Sequence, residues 1–167
     1  MINVPTNLRV LKASRKRPQS GDLFVLGLPD ETYLFGRVVS TEAVWTHAVG
    51  ALPANLVYIY RYRSRVAELP DTAMLRPGDL LVAPIMTNNL PWSRGYFSTL
   101  ANLPLGPGDV LPRHCFLSVA RHRYYDEWGN ELSAPIEPVG DHGLHSFRTI
   151  DDQVSDAVGI PRVPSDR

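Results

Sequence analysis

The stretch Leu56-Val-Tyr-Ile-Tyr-Arg-Tyr-Arg-Ser-Arg-Val66 decides the fold. In an extended chain, successive side chains point to opposite faces, so the tyrosines share one face and the arginines share the other. The first half is apolar on both faces, which indicates a central strand covered from two sides. The second half has one cationic face, which we expect to be solvated. The segment therefore predicts the centre of a β-sheet.

A hairpin is predicted ahead of this strand. Gly21-Asp22 makes a turn into the apolar run that ends at Leu26, and Pro29-Asp-Glu31 makes the next turn. The segment Thr32–Ser40 returns with residue types that favour strands. Gly36 inside the returning strand predicts a bulge or a sharp bend. Together these segments predict an antiparallel hairpin.

Repeated turns and many prolines indicate a mostly β fold. The Gly-Asp opening at Gly21 recurs at Gly78 and Gly108, and repeated turn-strand units are typical of small barrels. Fifteen of the 167 residues are proline, which breaks helix interiors. We therefore predict a small antiparallel barrel-like or strongly bent sheet. His114–Val119 is expected to add a short strand, and Met86–Pro112 is expected to be a long ordered loop.

One short α-helix is predicted near the C-terminus. Thr149–Asp152 resembles a capping box, and Gly159 is placed to end the helix. The apolar residues between them form one stripe at helical spacing: Ile150, Val154, Ala157 and Val158. We place Asp151 and Asp152 in the first turn, where carboxylates interact favourably with the helix dipole. This position explains the adjacent carboxylates without catalysis.

We divide the chain into three parts. Residues 1–19 form a basic segment, expected to be flexible, because five lysines and arginines precede the first acid, Asp22. Residues 20–161 form a single mostly β domain. Residues 162–167 form a loose C-terminus. The length fits one domain with a core of ordinary size.

Composition and charge exclude several classes of protein. Seventeen basic residues balance 17 acidic ones, so no net field draws the chain to nucleic acid or to an anionic membrane. The single cysteine, Cys115, excludes an internal disulfide and a thiolate-rich zinc site. The longest apolar run, Leu80–Met86, is too short to span a bilayer. These features predict a soluble cytoplasmic protein with no membrane partner.

Two groups of residues suit the binding of a partner protein. Arginine presents a planar fork to carboxylates or phosphates, which makes candidates of Arg61, Arg63 and Arg65. Tryptophan, tyrosine and arginine are enriched at interface hot spots, which makes candidates of Trp92, Arg94 and Tyr96. Each group has a structural alternative. The arginines would be a solvated face that blunts a sheet edge, and the aromatic residues would anchor their own loop in the core.

The histidines suggest a metal site without establishing one. Asp141-His-Gly-Leu-His145 places two imidazoles close together, and Asp126 or Glu127 could add a carboxylate ligand. The spacing fits no recognised zinc pattern, so hydrogen-bonded loop histidines are the alternative. His114 and Cys115 do not form a nucleophile and base, because neighbours on a strand point to opposite faces. We therefore assign no catalytic residue and no cofactor.

Several segments, in order, resemble the bacterial immunity protein 26 family. They are Gly21–Leu26, Tyr33–Val39, Pro91–Tyr96, Tyr124–Asn130, Pro138–Gly140 and Leu144–Ser146 followed by the Ile150-Asp-Asp helix. The resemblance runs from about Gly21 to Pro161. It implies a predominantly β fold and cognate protection against a contact-dependent or polymorphic toxin. A member of the family has also been labelled an organophosphate triester hydrolase. The resemblance supplies no site residues.

Three functional hypotheses follow. The first is an immunity protein that binds and neutralises a cognate protein toxin without catalysis. The second is a phosphotriester hydrolase in which a divalent metal activates water, with Asp141, His142, His145 and Asp126 as candidate residues. The third and weakest is a binder of single-stranded nucleic acid that stacks bases on Tyr58, Tyr60 and Tyr62.

Overall fold

The computed structural model of the chain describes residues 5–164. The first sheet contains β1 (Asp22–Gly27), β2 (Tyr33–His47), β3 (Gly50–Ser64), β4 (Ile85–Thr87) and β5 (Ser98–Asn102). These strands are antiparallel and lie in the order β4-β3-β2-β1-β5. The long β2 and β3 therefore occupy the centre of the sheet.

A second, smaller sheet follows along the chain. It contains β6 (Cys115–Ser118), β7 (Arg123–Tyr125), β8 (Glu131–Leu132) and β9 (Val139–Asp141), in the order β8-β7-β6-β9. The β6 and β9 strands are parallel, and the other pairs are antiparallel. The helices are a 3-10 turn at Thr72–Met74, the short α1 (Leu90–Ser93) and α2 (Phe147–Val158).

The prediction of a mostly β fold with one short C-terminal helix is confirmed. Within residues 5–164 the first sheet does not close into a barrel, because β4 and β5 remain at its two ends. It follows the bent-sheet alternative. The β2–β3 register shifts near Gly36, Ser40 and Ala43, and such bulges bend strands. Gly36 also permits close packing, since a Cβ there would lie 2.3 Å from the Phe24 ring.

Both faces of the first sheet are covered. Phe24, Leu26 and Ile59 face a core that includes Trp92 and residues of α2. The opposite face carries Leu23, Val25, Phe35, Tyr58 and Tyr60, which pack with Phe116 of the second sheet. The alternation predicted for β3 is confirmed, because its tyrosines point into this second core. Burying each large apolar side chain contributes about 1.5–3 kcal/mol.

The three Gly-Asp pairs are followed by different structures. The first leads into β1, whereas those at Gly78 and Gly108 do not begin regular strands. Residues after Gly78 form a local bridge to β3, through Leu81 N–H to Ile59 O at 2.9 Å and Arg61 N–H to Asp79 O at 3.1 Å. Pro84 then interrupts the run, since it lacks a backbone donor. The segment Met86–Pro112 is likewise more regular than predicted, because it contains α1 and β5.

Helix α2 begins earlier than predicted. Ser146 is its N-cap, and Gly159 ends it with φ 78°, as predicted. Asp151 and Asp152 therefore lie beyond the first turn, and the dipole explanation is wrong for both. Asp151 has another role. Its carboxylate is buried and accepts the backbone N–H groups of Asn7 and Leu8 at 3.1 and 2.7 Å. Burial raises the pKa of Asp151, although these two hydrogen bonds act in the opposite direction.

The basic segment lies along the body of the protein. Leu8 is buried in the core, and backbone bonds join Arg9 N to Gly27 O, Leu11 N to Gly95 O and Ser14 N to Trp92 O. The predicted division at residue 20 stays a prediction, although the described part of residues 1–19 contacts the domain. Residues 1–4 and 165–167 lie outside the described part of the chain.

Candidate partner-binding surface

Of the candidates Trp92, Arg94 and Tyr96, the two aromatic side chains lie in the core. Trp92 and Tyr96 are 2% and 4% exposed. The Trp92 ring packs edge-on against Phe24 with centroids 5.5 Å apart, and Tyr96 stacks on Phe147 at 4.9 Å. Only Arg94 of the three candidates is exposed. This geometry matches the alternative in which the loop is anchored by its own aromatic residues.

We call the exposed side chains of Arg61, Arg63 and Arg65 the arginine ladder. Two of these three arginines form ion pairs. The Arg61 guanidinium lies 3.2 Å from Asp79, and that of Arg63 lies 2.7 Å from Asp30. Hydrogen bonds from Thr32, together with the charge of Arg63, hold the pKa of Asp30 below its usual value. Arg65 lies just beyond the end of β3 and is exposed. Two of the three cations are thus neutralised within the chain.

The tyrosine face of β3 is closed to bases. Tyr58 and Tyr60 have no exposed surface, and Tyr62 packs against the same core. Burial raises the pKa of Tyr60 to about 12, which agrees with an apolar environment. Stacking of single-stranded nucleic acid needs open ring faces. The third hypothesis is therefore wrong about these residues.

The two histidines of the predicted metal cluster have different neighbours. His145 is buried, with Nε2 at 3.0 Å from Asp141 Oδ2 and Nδ1 at 3.0 Å from Thr149 Oγ1. His142 instead packs on Tyr125, with ring centroids 4.7 Å apart. Burial and the nearby Arg121 lower the pKa of His142. Each imidazole thus has its own structural contacts.

Asp126, the fourth candidate, stabilises its own turn. Its Oδ1 accepts the N–H groups of Trp128 and Asn130, both at 2.9 Å. Across residues 5–164, no three His, Cys, Asp or Glu side chains form a group that could hold a metal ion. The hydrolase hypothesis stays a prediction. The described residues contain no set of three side chains that could bind its metal.

A buried polar chain that the sequence did not reveal joins the two sheets. Tyr58 Oη lies 2.5 Å from His114 Nε2, and His114 Nδ1 lies 3.3 Å from Glu127 Oε2. Burial raises the pKa of Glu127, but the hydrogen bond and charge of His114 outweigh it, so the net pKa is below its usual value. Tyr58 has no exposed surface, whereas His114 and Glu127 line a cleft of about 280 Å³. Cys115, its neighbour in sequence, is a buried free thiol.

The most exposed large apolar side chain of the described residues lies on the distal part of the β2–β3 hairpin. We call residues 41–54 the arm. Val49 at its tip is 91% exposed and Leu52 is 44% exposed. Leu52 is directly opposite Trp45 in the antiparallel register, so the two share a face. The His47 ring lies 5.0 Å from that of Trp45 and extends the same face.

The second sheet holds the arm in place. Val44 N–H donates to Glu127 O at 2.8 Å, so the turn after β7 pairs with the edge of β2. Gly129 in this turn lies against Thr46, where an added Cβ would lie 2.5 Å from Thr46 Cγ2. The glycine has φ 86°, a conformation that other residues rarely adopt. The arm is therefore a braced hairpin.

A cleft of about 370 Å³ with both polar and apolar lining residues lies at the root of the arm. We call it the root cleft. Asn55, one of its buried residues, donates through Nδ2 to Asn89 Oδ1 at 2.7 Å. The other lining residues are the polar Arg17, Thr41, Thr87 and Asn88 and the apolar Pro18, Pro53 and Ala54. Together, the arm and the root cleft place exposed apolar side chains beside hydrogen-bonding groups.

Protein–protein interfaces likewise combine apolar side chains with a hydrogen-bonding rim. The sequence profile described as Immunity protein 26 matches residues 19–125, which include the arm. The chain belongs to the Immunity protein 26 family, as the order of its motifs predicted, and this membership implies an immunity role in general. Comparison with curated proteins and with solved structures finds no match. No helix in residues 5–164 has the length and apolar character needed to cross a membrane.

Proposed function

We propose that this chain binds a cognate protein toxin through the arm and the root cleft, and neutralises it without catalysis. The observation that carries the proposal is the braced hairpin with Val49 91% exposed and Leu52 44% exposed. Solvent-exposed apolar side chains that lie together beside polar groups are typical of interfaces. Membership of an immunity family supports a toxin as the partner.

The rigidity of the arm favours tight binding. Ordering a loop upon association costs free energy, and a segment already held in its bound shape avoids much of that cost. The bond from Val44 N–H to Glu127 O and the contact of Gly129 with Thr46 provide this restraint. A few central side chains then supply most of the affinity, each at about 2 kcal/mol or more.

Blocking the toxin requires contact alone. The polar side chains that resemble catalytic groups are engaged within the fold. Asp126 fixes a turn, His145 lies between Asp141 and Thr149, and His114 joins Tyr58 to Glu127. A bound immunity protein that covers the toxin's substrate site would be sufficient for protection.

The test compares two aspartate substitutions of similar exposed residues. Leu52→Asp places a carboxylate in the centre of the arm, and Val119→Asp does so at a site 66% exposed near the end of β6. Affinity for the proposed toxin partner is measured by titration calorimetry, after circular dichroism has verified both folds. We expect a loss of affinity of about 30-fold or more for Leu52→Asp, given hot-spot energies of about 2 kcal/mol. We expect no loss for Val119→Asp. Equal affinities for the two variants would contradict the proposal.

A phosphotriester hydrolase is the second candidate function. The observation in its favour is the pair of Asp141 and His145, 3.0 Å apart, because a carboxylate and an imidazole are both ligand types for a divalent metal. The test measures chromophore release from an aryl dialkyl phosphotriester by the wild-type protein, with and without added zinc, manganese or cobalt. His145→Ala, purified identically, is the control. A saturable rate that the mutant lacks would replace the binding proposal with an enzymatic one.

A further inference from the structure

The β5 strand presents an edge that the described chain leaves open. It is the last strand of the first sheet, so one edge pairs with β1 and no strand in residues 5–164 pairs with the other. An open edge offers backbone N–H and C=O groups to another extended chain. A cleft of about 310 Å³ runs beside it, and all five residues of β5 line that cleft. We call it the edge cleft.

The opposite wall of the edge cleft is the basic segment. Lys12, Ser14, Lys16 and Gln19 line this wall. The wall is held in place, because Leu11 N–H donates to Gly95 O at 2.8 Å and Ser14 N–H donates to Trp92 O at 3.0 Å. The segment therefore stands across from β5 and leaves a channel between the two.

The charge of the edge cleft is positive. Lys12 and Lys16 are exposed, and neither forms an ion pair with a carboxylate in the described chain. The one carboxylate that lines the cleft, Asp22, is buried and already engaged: Oδ2 accepts Gln19 N–H and Oδ1 accepts Asn102 Nδ2–H, both at 2.9 Å. The cations are thus available to a ligand.

The lysines do not simply guard the edge against aggregation. Guarding charges usually lie on the edge strand itself. The β5 sequence, Ser-Thr-Leu-Ala-Asn, carries no charge, and both lysines lie on the far wall. This arrangement leaves the backbone of β5 accessible and places the cations where they would meet the side chains of an added strand.

We infer that the edge cleft accepts an extended acidic segment of the partner protein, which adds to β5 as a sixth strand. Backbone hydrogen bonds to β5 provide affinity, and the ion pairs with Lys12 and Lys16 select acidic side chains. The identity of the partner as a toxin rests on the proposed function. The edge cleft itself is a separate surface from the arm.

The test uses a short acetylated peptide of alternating glutamate and valine as the probe. Binding to the ¹⁵N-labelled protein is followed by chemical-shift changes. We expect saturable changes confined to Ser98–Asn102 and to residues 12–19. In the double variant Lys12→Glu/Lys16→Glu, we expect affinity to fall about tenfold or more, because both ion pairs become repulsive. The matched control is Arg76→Glu/Arg113→Glu, which changes the net charge equally at two other exposed sites and should bind the peptide like the wild type.

Three outcomes would overturn this inference. The first is no saturable binding of the peptide, and the second is an equal loss in both double variants, which would indicate a general charge effect. The third is that a short oligothymidylate binds the edge cleft as tightly as the peptide, which would make it a phosphate-binding surface. The peptide assay does not involve the toxin, so its failure leaves the proposed function standing. Loss of toxin binding on Leu52→Asp likewise tests the arm alone.

Discussion

The segment Trp92–Phe97 and the arm make opposite use of similar residues. Both contain a tryptophan, yet Trp92 is 2% exposed, whereas Trp45 of the arm is only partly buried and Val49 at its tip is 91% exposed. Trp92–Phe97 lies over the face of β1, where Phe97 stacks on Phe24 with centroids 4.2 Å apart. The arm extends past the residues of β2 that pair with β1. The exposure of a segment therefore depends on whether it packs against a sheet face, and not on its aromatic content.

The largest effect is expected from truncating the buried tryptophan. Trp92→Ala should lower the free energy of unfolding by about 3–5 kcal/mol, because it leaves a cavity against Phe24 and Phe97. Val49→Ala in the arm should change it by less than about 0.5 kcal/mol. Urea denaturation of both variants measures the difference. Similar losses would mean that the two regions do not differ as described.

A smaller effect is expected at the carboxylate that fixes the basic segment. Asp151→Ala should cost about 1–3 kcal/mol of unfolding free energy, since the buried Leu8 N–H would lose its acceptor. Asp152→Ala removes a neighbouring carboxylate that is 39% exposed and should cost much less. Hydrogen exchange of the Leu8 amide provides a second measurement. Unchanged protection in Asp151→Ala would show that this bond does not hold the segment.

The carboxyl group of Glu127, whose backbone carbonyl holds the arm, should make a pH-dependent contribution to stability. The pKa of Glu127 in the folded protein is below its ordinary value of 4.5, so its contribution is fully present above pH 4.5 and is lost as the pH falls through the lowered value. Wild type should therefore exceed Glu127→Gln in stability at neutral pH, and the gap should close in acid. Urea midpoints measured across this range test the sign. A gap that widens in acid would contradict a stabilising contact between Glu127 and His114.

The smallest effect is expected on the arginine ladder. Arg63→Ala breaks a surface ion pair with Asp30, and pairs of this kind contribute little because solvent screens them. The thermal midpoint should stay close to that of the wild type, with or without added salt. A large drop in midpoint would show that the ladder supports the sheet.

Much of the fold was predictable because it follows from local pattern. Alternation in β3 placed the tyrosines in the core, and Gly36 marked a real bulge. The burial of Trp92 was not predictable, because it depends on the packing of β1 beneath it. The arm was not predictable either, since residues 41–54 contain no distinctive motif. It can be recognised only once the lengths of the neighbouring strands are known. Tyr58, His114 and Glu127 come together from two sheets, which no sequence spacing indicates.

The most direct test of the account is the hydrogen-exchange footprint of the bound toxin. Exchange is compared for the free protein and for its complex with the proposed toxin partner. The account predicts new protection in residues 41–54 and around Asn55 and Asn88 of the root cleft. It predicts no change in Trp92–Phe97, which is already buried. Protection confined to the face of Arg61, Arg63 and Arg65, with the arm unchanged, would contradict the central claim.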